Sequence, residues 1–222
     1  MGLLGWSAYA IDRVMDRITG GRVRFKVVCF YFQPINPKEI LAHTPSDTIR
    51  VGPITRDQAS TEAFERRSEV LDERFGNGSV CIAALKGEEL LGFMWLQFGP
   101  LHATELRLIL DVAGRKDLAW DYDLFIRPKY RLGRAFLRLW AATNEELRKR
   151  GSAGTLSGIL LENGASVRAH SRLGAKRIGW AALLSVCSAQ LNISSLRPWI
   201  SVSRRVRPAT LKFGTALRRS KN

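Results

Sequence analysis

The chain has 222 residues with 35 Lys and Arg against 20 Asp and Glu, a formal charge of +15, and 45% hydrophobic residues. This length suits one substantial domain with appendages, and the composition excludes a disordered or fibrous chain. No run of about 18 apolar residues is present, which excludes a spanning helix.

Asp12 and Arg13 interrupt the apolar opening, unlike a secretory signal. Cys29, Cys81 and Cys187 are odd in number and widely spaced, so neither a disulfide framework nor a metal pair is expected. A reducing, cytoplasmic location is the expectation. The charge is asymmetric: no acidic residue follows Glu162, whereas twelve basic ones do, leaving the first 162 residues an excess of only +3. Such a tail is either a solvated aid to solubility or a dock for an anionic partner.

In chain order, Leu4, Ala8, Ile11, Met15 and Ile18 recur at helical spacing, predicting an amphipathic helix that Gly20 and Gly21 end. Arg22 to Gln33 reads as a strand, Pro34 to Ser46 as a loop and Thr48 to Ile54 as a short strand. Thr55 and Gln58 have capping-box spacing ahead of a helix in which Phe64, Leu71 and Phe75 share a face, stopping at Gly76 to Gly78. VCIAAL, KGEE and LLGFMWLQF then form a hairpin covered on both faces.

Ala103 to Leu110 is expected as a strand, with Glu105 and Arg107 on one face. Ala119 to Ile126 is a stronger one, with Asp121 and Asp123 on one face and Trp120 and Tyr122 on the other. A helix starts near Arg134, supported by the pairs Glu145 with Lys149 and Glu146 with Arg150, and Gly151 closes it. Thr155 to Leu161 is a strand, Asn163 caps a short helix ending at Gly174, and Lys176 to Cys187 is another strand. Beyond Ser188 alternation is patchy, LRPWISVSRRV is one more edge strand, and the last fifteen residues read as loosely ordered. The organisation expected is a helix at 1–21, a domain at 22–187 and a basic extension at 188–222.

The passage from strand through glycine-containing loop to helix, Trp120 to Arg150, carries the chemistry. A helix N-terminus offers unpaired N–H groups and partial positive charge to a phosphate. Gly133 allows close approach to the backbone, and Arg131 and Arg134 bring forked donors.

Together the segments I-R-P-K-Y-R-L-G-R-A and N-G-A-S-V-R-A-H-S-R-L-G-A, in this order between strands, resemble the GCN5-related N-acetyltransferase (GNAT) superfamily over roughly Thr48 to Cys187. Ile126, Pro128, Tyr130 and Arg131 match its V-x-P-x-Y-R segment. Gly133 and Ala135 take the glycine places of the loop that holds the pyrophosphate of acyl-CoA, with Tyr130 standing for Gln or Arg. Asn163, Ser166 and Gly174 match the downstream motif, with His170 in its Tyr place and Ala175 in its Phe place.

The resemblance implies an α/β fold with a mixed, mostly antiparallel central sheet flanked by helices. It implies direct attack of an amine on the thioester of acetyl-CoA or another acyl-CoA. It assigns the cofactor to Phe125, Ile126, Arg131, Leu132, Gly133, Arg134, Ala135, Asn163 and Ser166. Asp121 or Asp123 acts as base or makes structural bonds, and His170 is the acid for the thiolate or a surface histidine. The acceptor is expected to be a small-molecule or peptide amine. A catalytically silent module of the same fold, docking through its basic tail on an anionic membrane, an acidic carrier protein or, less readily, nucleic acid, is the alternative.

Overall fold

The computed structural model describes residues 3–35, 49–131 and 134–214. In chain order the elements are α1 (Leu3–Thr19), β1 (Val23–Pro34), β2 (Arg50–Ile54), α2 (Thr61–Phe64), α3 (Ser68–Gly76), β3 (Val80–Lys86), β4 (Glu89–Phe98), β5 (Leu101–Ala103), β6 (Leu108–Asp111), β7 (Leu118–Ile126), α4 (Ala135–Lys149), β8 (Gly154–Leu160), α5 (Gly164–Arg172), β9 (Lys176–Val186), β10 (Ala189–Ser194), β11 (Ile200–Arg204) and β12 (Ala209–Lys212). They form two compact units. One comprises Met1–Pro34, Gly99–Arg115 and Leu156–Asn222, the other Ile35–Phe98 and Lys116–Thr155.

In the second unit the strand order is β7-β4-β3-β2, antiparallel throughout. The hairpin β3–β4 turns at Gly87, and its central residues are buried on both faces, as the two continuous apolar runs require. Phe64, Leu71 and Phe75 pack with Phe93 and Trp95 on one side, while Leu139 and Ala142 of α4 pack with Ile82 and Leu96 on the other. The helix expected after Thr55 is two helices, because Glu65 takes a left-handed conformation between α2 and α3. Gln58 Oε1 does accept from the N–H of Thr55, but within a short 3₁₀ turn, and the cap of α2 is Ser60. Both expected pairs of α4 form.

The first unit carries the antiparallel order β11-β10-β9-β1, with the later part of β8 on the far side of β1. A separate three-stranded sheet, β12-β6-β5, pairs β12 parallel to β6. The single strand expected at 103–110 is broken at Thr104–Leu106 by a 3₁₀ turn, so Glu105 and Arg107 do not share a strand face.

Helix α1 packs differently from its expected stripe. Its inward face is Gly5, Ala8 and Asp12, whereas Ile11 is exposed and Ile18 is 79% exposed. The side chain of Leu4 lies outside those described. A Cβ on Gly5 would come within 2.9 Å of the Leu161 carbonyl oxygen, so glycine admits the close approach. Asp12 then anchors the helix to β1, accepting from Arg24 Nε and Nη2 and from the Phe25 N–H. These bonds to Arg24 hold its carboxyl below the usual range despite partial burial.

The expected extension beyond residue 187 is built into this unit. β10 and β11 continue the sheet, β12 completes the small one, and Leu211 and Phe213 are fully buried. Phe213 meets Phe30 edge to face at 4.9 Å. Residues 215–222, the remainder of the tail, lie outside those described, as does most of the loop expected at 34–46. Phe213→Ala is expected to lower unfolding free energy by about 3–5 kcal/mol in chemical denaturation. A loss within about 0.5 kcal/mol, the range of surface changes, would mark the segment as peripheral.

Candidate functional site

Strand β7 departs from regular pairing just where chemistry was expected. Phe125 opposes Phe93, but Tyr122 opposes Trp95, so Asp123 and Leu124 together face Met94 alone. This is a bulge, with Asp123 at a φ of 47°. Tyr122 and Phe125 accordingly pack on the Trp95 side, and Leu124 and Ile126 on the Leu139 side.

The bulge separates the two aspartates that alternation had put on one face. Asp121 is buried and accepts a 2.6 Å bond from the Thr155 hydroxyl. Asp123 turns to the Tyr122 side, where Arg66 bonds both its oxygens and Arg74 bonds Oδ2. Arg74 also lies over the rings of Trp95 and Tyr122. Burial raises the Asp123 carboxyl, but the hydrogen bonds and charges of Arg66 and Arg74 prevail and hold it below the usual range. The Tyr122 hydroxyl donates to Ser79 Oγ, which donates to Gln97 Oε1, and burial pushes the Tyr122 phenol up. Arg66 and Arg74 were not foreseen; their only sequence signal is basic residues on a helix otherwise read for its apolar face.

After Ile126 the chain is fixed tightly. The Arg127 N–H donates to the Leu91 carbonyl, and its guanidinium donates to the carbonyls of Leu90 and Ala63. A 3₁₀ turn at Pro128–Tyr130 follows, and Tyr130 donates to Glu89, which also pairs with Lys129. Arg131 Nε donates to the Ile126 carbonyl. Leu132 and Gly133 lie outside the described residues. Arg134 is the N-cap of α4 and Ala135 its first residue.

Among the described residues no side chain caps α4, and its first turn holds no acid. In contrast α2 has Ser60 as cap and Glu62 in its first turn, α3 has Glu69, and α5 is capped by Asn163. With Arg131 and Arg134 exposed beside it, the α4 terminus is suited to an anion.

Asn163, Ser166 and His170 lie in the first unit on α5. Asn163 Oδ1 accepts from the Ser166 N–H at 3.1 Å, which gives both residues a role in starting the helix. His170 is buried rather than on the helix surface, with Nδ1 3.5 Å from Ser157 Oγ. His102 is exposed on β5, His43 lies outside the described residues, and no metal-holding cluster occurs among the described residues. Cys29 and Cys81 are buried, and burial pushes both thiols up.

The ion triplet has a pH consequence. Because the folded Asp123 carboxyl sits below its unfolded value of about 3.9, it stabilises the fold fully above that pH. The contribution is lost as pH falls through the lowered folded value. Asp123→Asn is therefore expected to destabilise the chain by about 1.5–3 kcal/mol at neutral pH and to flatten the acid limb of the stability profile. An acid limb unchanged in thermal melts of the variant would show that the triplet carries no such linkage.

No family model matches the chain, and no curated protein matches it. Solved structures are similar to it in fold. A functionally unknown conserved protein from Staphylococcus epidermidis aligns over 79% of this chain and 68% of its own, at 7% identity and a TM-score of 0.53. A Drosophila melanogaster protein aligns over 79% of this chain and 57% of its own, at 12% identity and a TM-score of 0.50. A tandem GNAT protein from the clavulanic acid biosynthesis pathway aligns over 74% and 55%, at 14% identity and a TM-score of 0.47. The chain spans less than two thirds of the latter two. The likeness is one of fold alone: a mixed, mostly antiparallel α/β arrangement with flanking helices, in which the strand, turn and helix follow in the expected order.

Proposed function

We propose that this chain is an acyl-CoA-dependent N-acyltransferase, in which an acceptor amine attacks the thioester of acetyl-CoA or a longer acyl-CoA directly. The observation that carries the reading is the bulged β7 leading through a pinned turn to an acid-free helix terminus, flanked by two arginines, that no side chain among the described residues caps. That passage stands where the first motif of the resemblance requires it, and the Asn163-capped α5 follows where the second does.

Bound acyl-CoA supplies the thioester. The first-turn amides of α4, from Ala135 on, with Arg131, Leu132, Gly133 and Arg134 ahead of them, would hold its pyrophosphate. Phe125 and Ile126 carry the strand to that turn. The bulge takes backbone out of regular ladder pairing, and an amide there supplies the donor that a developing oxyanion needs. Two guanidiniums keep Asp123 ionised and lower its basicity, so the base role goes to Asp121, through water. His170 takes the acid role at the leaving thiolate, in the motif place of Tyr. The acceptor is a small-molecule or peptide amine.

Titration calorimetry tests the cofactor site. Reversing both exposed charges, Arg131→Glu with Arg134→Glu, is expected to weaken CoA binding by at least about tenfold, the scale of losing charge-assisted phosphate bonds. Unchanged affinity in the folded variant would remove the α4 terminus from the site. His170→Gln is expected to cut kcat by about 10²-fold with CoA affinity little altered. A kcat within about threefold of the parent would leave His170 a structural role.

A further inference from the structure

The pair of strands β10 and β11, beside β9, is amphipathic the wrong way round for a water-facing surface. Residues directly opposite in an antiparallel ladder share a face. Leu184, Leu191 and Val202 form one such row, and Ala182, Ile193 and Ile200 the next. This face is outward: Leu191 and Ile193 are exposed, Ile200 is 68% exposed and Val202 63%. The inward face of β10 and β11 carries Gln190, Asn192, Ser194 and Ser203, all buried, next to Ala181 and Leu183 of β9. Their polar groups are engaged with one another and with backbone: Gln190 Nε2 donates to the Leu106 carbonyl and to Asn192 Oδ1, and Asn192 Nδ2 donates to Ser203 Oγ.

Basic residues border the apolar face. Arg204 and Arg207 close a turn by exchanging backbone hydrogen bonds, and Val206, at 93% exposure, projects from it between Arg205 and Arg207. At the other end Arg197 lies over the ring of the exposed Trp199 at 5.3 Å. No acidic residue occurs anywhere after Glu162.

We propose that this face docks the protein peripherally on an anionic lipid surface, with Ile200, Val202 and Val206 at the acyl boundary, Trp199 at headgroup level and the arginines on lipid phosphates. Charge selects this occupant. A second copy laid on the same face would set its arginines against those of the first, with no acid in this segment to pair them. An acidic protein would match the charge but leave the aliphatic rows against polar surface. A bilayer interface offers apolar depth and negative charge in the order the face presents them. No helix among the described residues is long and apolar enough to cross a membrane. It does not depend on the acyltransferase reading.

Co-sedimentation of the full chain with vesicles tests this, using phosphatidylcholine alone and phosphatidylcholine mixed with phosphatidylglycerol. Binding is expected to the mixed vesicles, weakening by at least about tenfold from low to high salt. Ile200→Ser with Val202→Ser is expected to reduce it by about tenfold with the circular dichroism spectrum and Tm unchanged, since both side chains are already in water. Should that variant misfold, Val206→Asp at the turn gives the same readout without touching a strand. Equal binding by a folded variant and parent, or no binding to mixed vesicles at low salt, would overturn the proposal. So would a dimer in light scattering that reverts to monomer in the Ile200→Ser, Val202→Ser variant, which would assign the face to a second copy.

Discussion

A left-handed backbone at Asp123 costs an L-residue roughly 1–2 kcal/mol and persists only where its surroundings over-determine it. Here the surroundings are two guanidiniums, Arg66 beyond α2 and Arg74 on α3, meeting one carboxylate. Charge-assisted bonds of this kind are strong enough to offset the strain. Once Asp123 is held, the rest of β7 is shifted by one position against β4. Phe125 and Ile126 then enter opposite cores, and the Phe125 carbonyl comes so close to β4 that a Cβ on Gly92 would lie 2.6 Å from it. Arg127 locks the result into the carbonyls of β4 and α2, and the direction in which the chain enters α4 follows.

The first unit is governed by a different constraint. A one-residue slip of β10 would turn Leu191 and Ile193 inward and Gln190, Asn192 and Ser194 outward, which hydrophobicity alone favours. The observed register is the one in which the buried amides and hydroxyls find partners, down to Ser203 accepting from the Ala209 N–H. A buried polar network satisfied this completely specifies one arrangement, because every alternative leaves groups unpaired at high local cost.

These two constraints also mark where the amino-acid pattern was legible and where it was not. The β3–β4 hairpin, α4 with its Glu–Lys and Glu–Arg pairs, and the Asn163 cap follow from local rules that tertiary structure did not override. The alternation of β10 is regular, yet reading apolar positions as interior made it look like an irregular tail, since the interior positions are polar. Helix α1 misled similarly: its large apolar residues form a stripe, but Gly5 and Asp12 make the close contacts. In the candidate site, the motif residues were read in order, while the bulge was not, because it rests on Arg66 and Arg74, 57 and 49 residues from Asp123 in sequence and brought to it by packing. The same blind spot grouped Asp121 with Asp123, which have separate partners.

The parallel pairing of β12 with β6 bears on the order of events during synthesis. Leu108–Asp111 finds its neighbour in Ala209–Lys212, a strand made only after Thr155, the last residue of the second unit, has been added. The second unit thus has all its strands and α4 while β6 still lacks a partner along one side. An apolar strand left open for that interval is an aggregation hazard, and parallel pairing across such a separation forms slowly. Nascent chains halted between these two points are the species for which a chaperone would have most to cover.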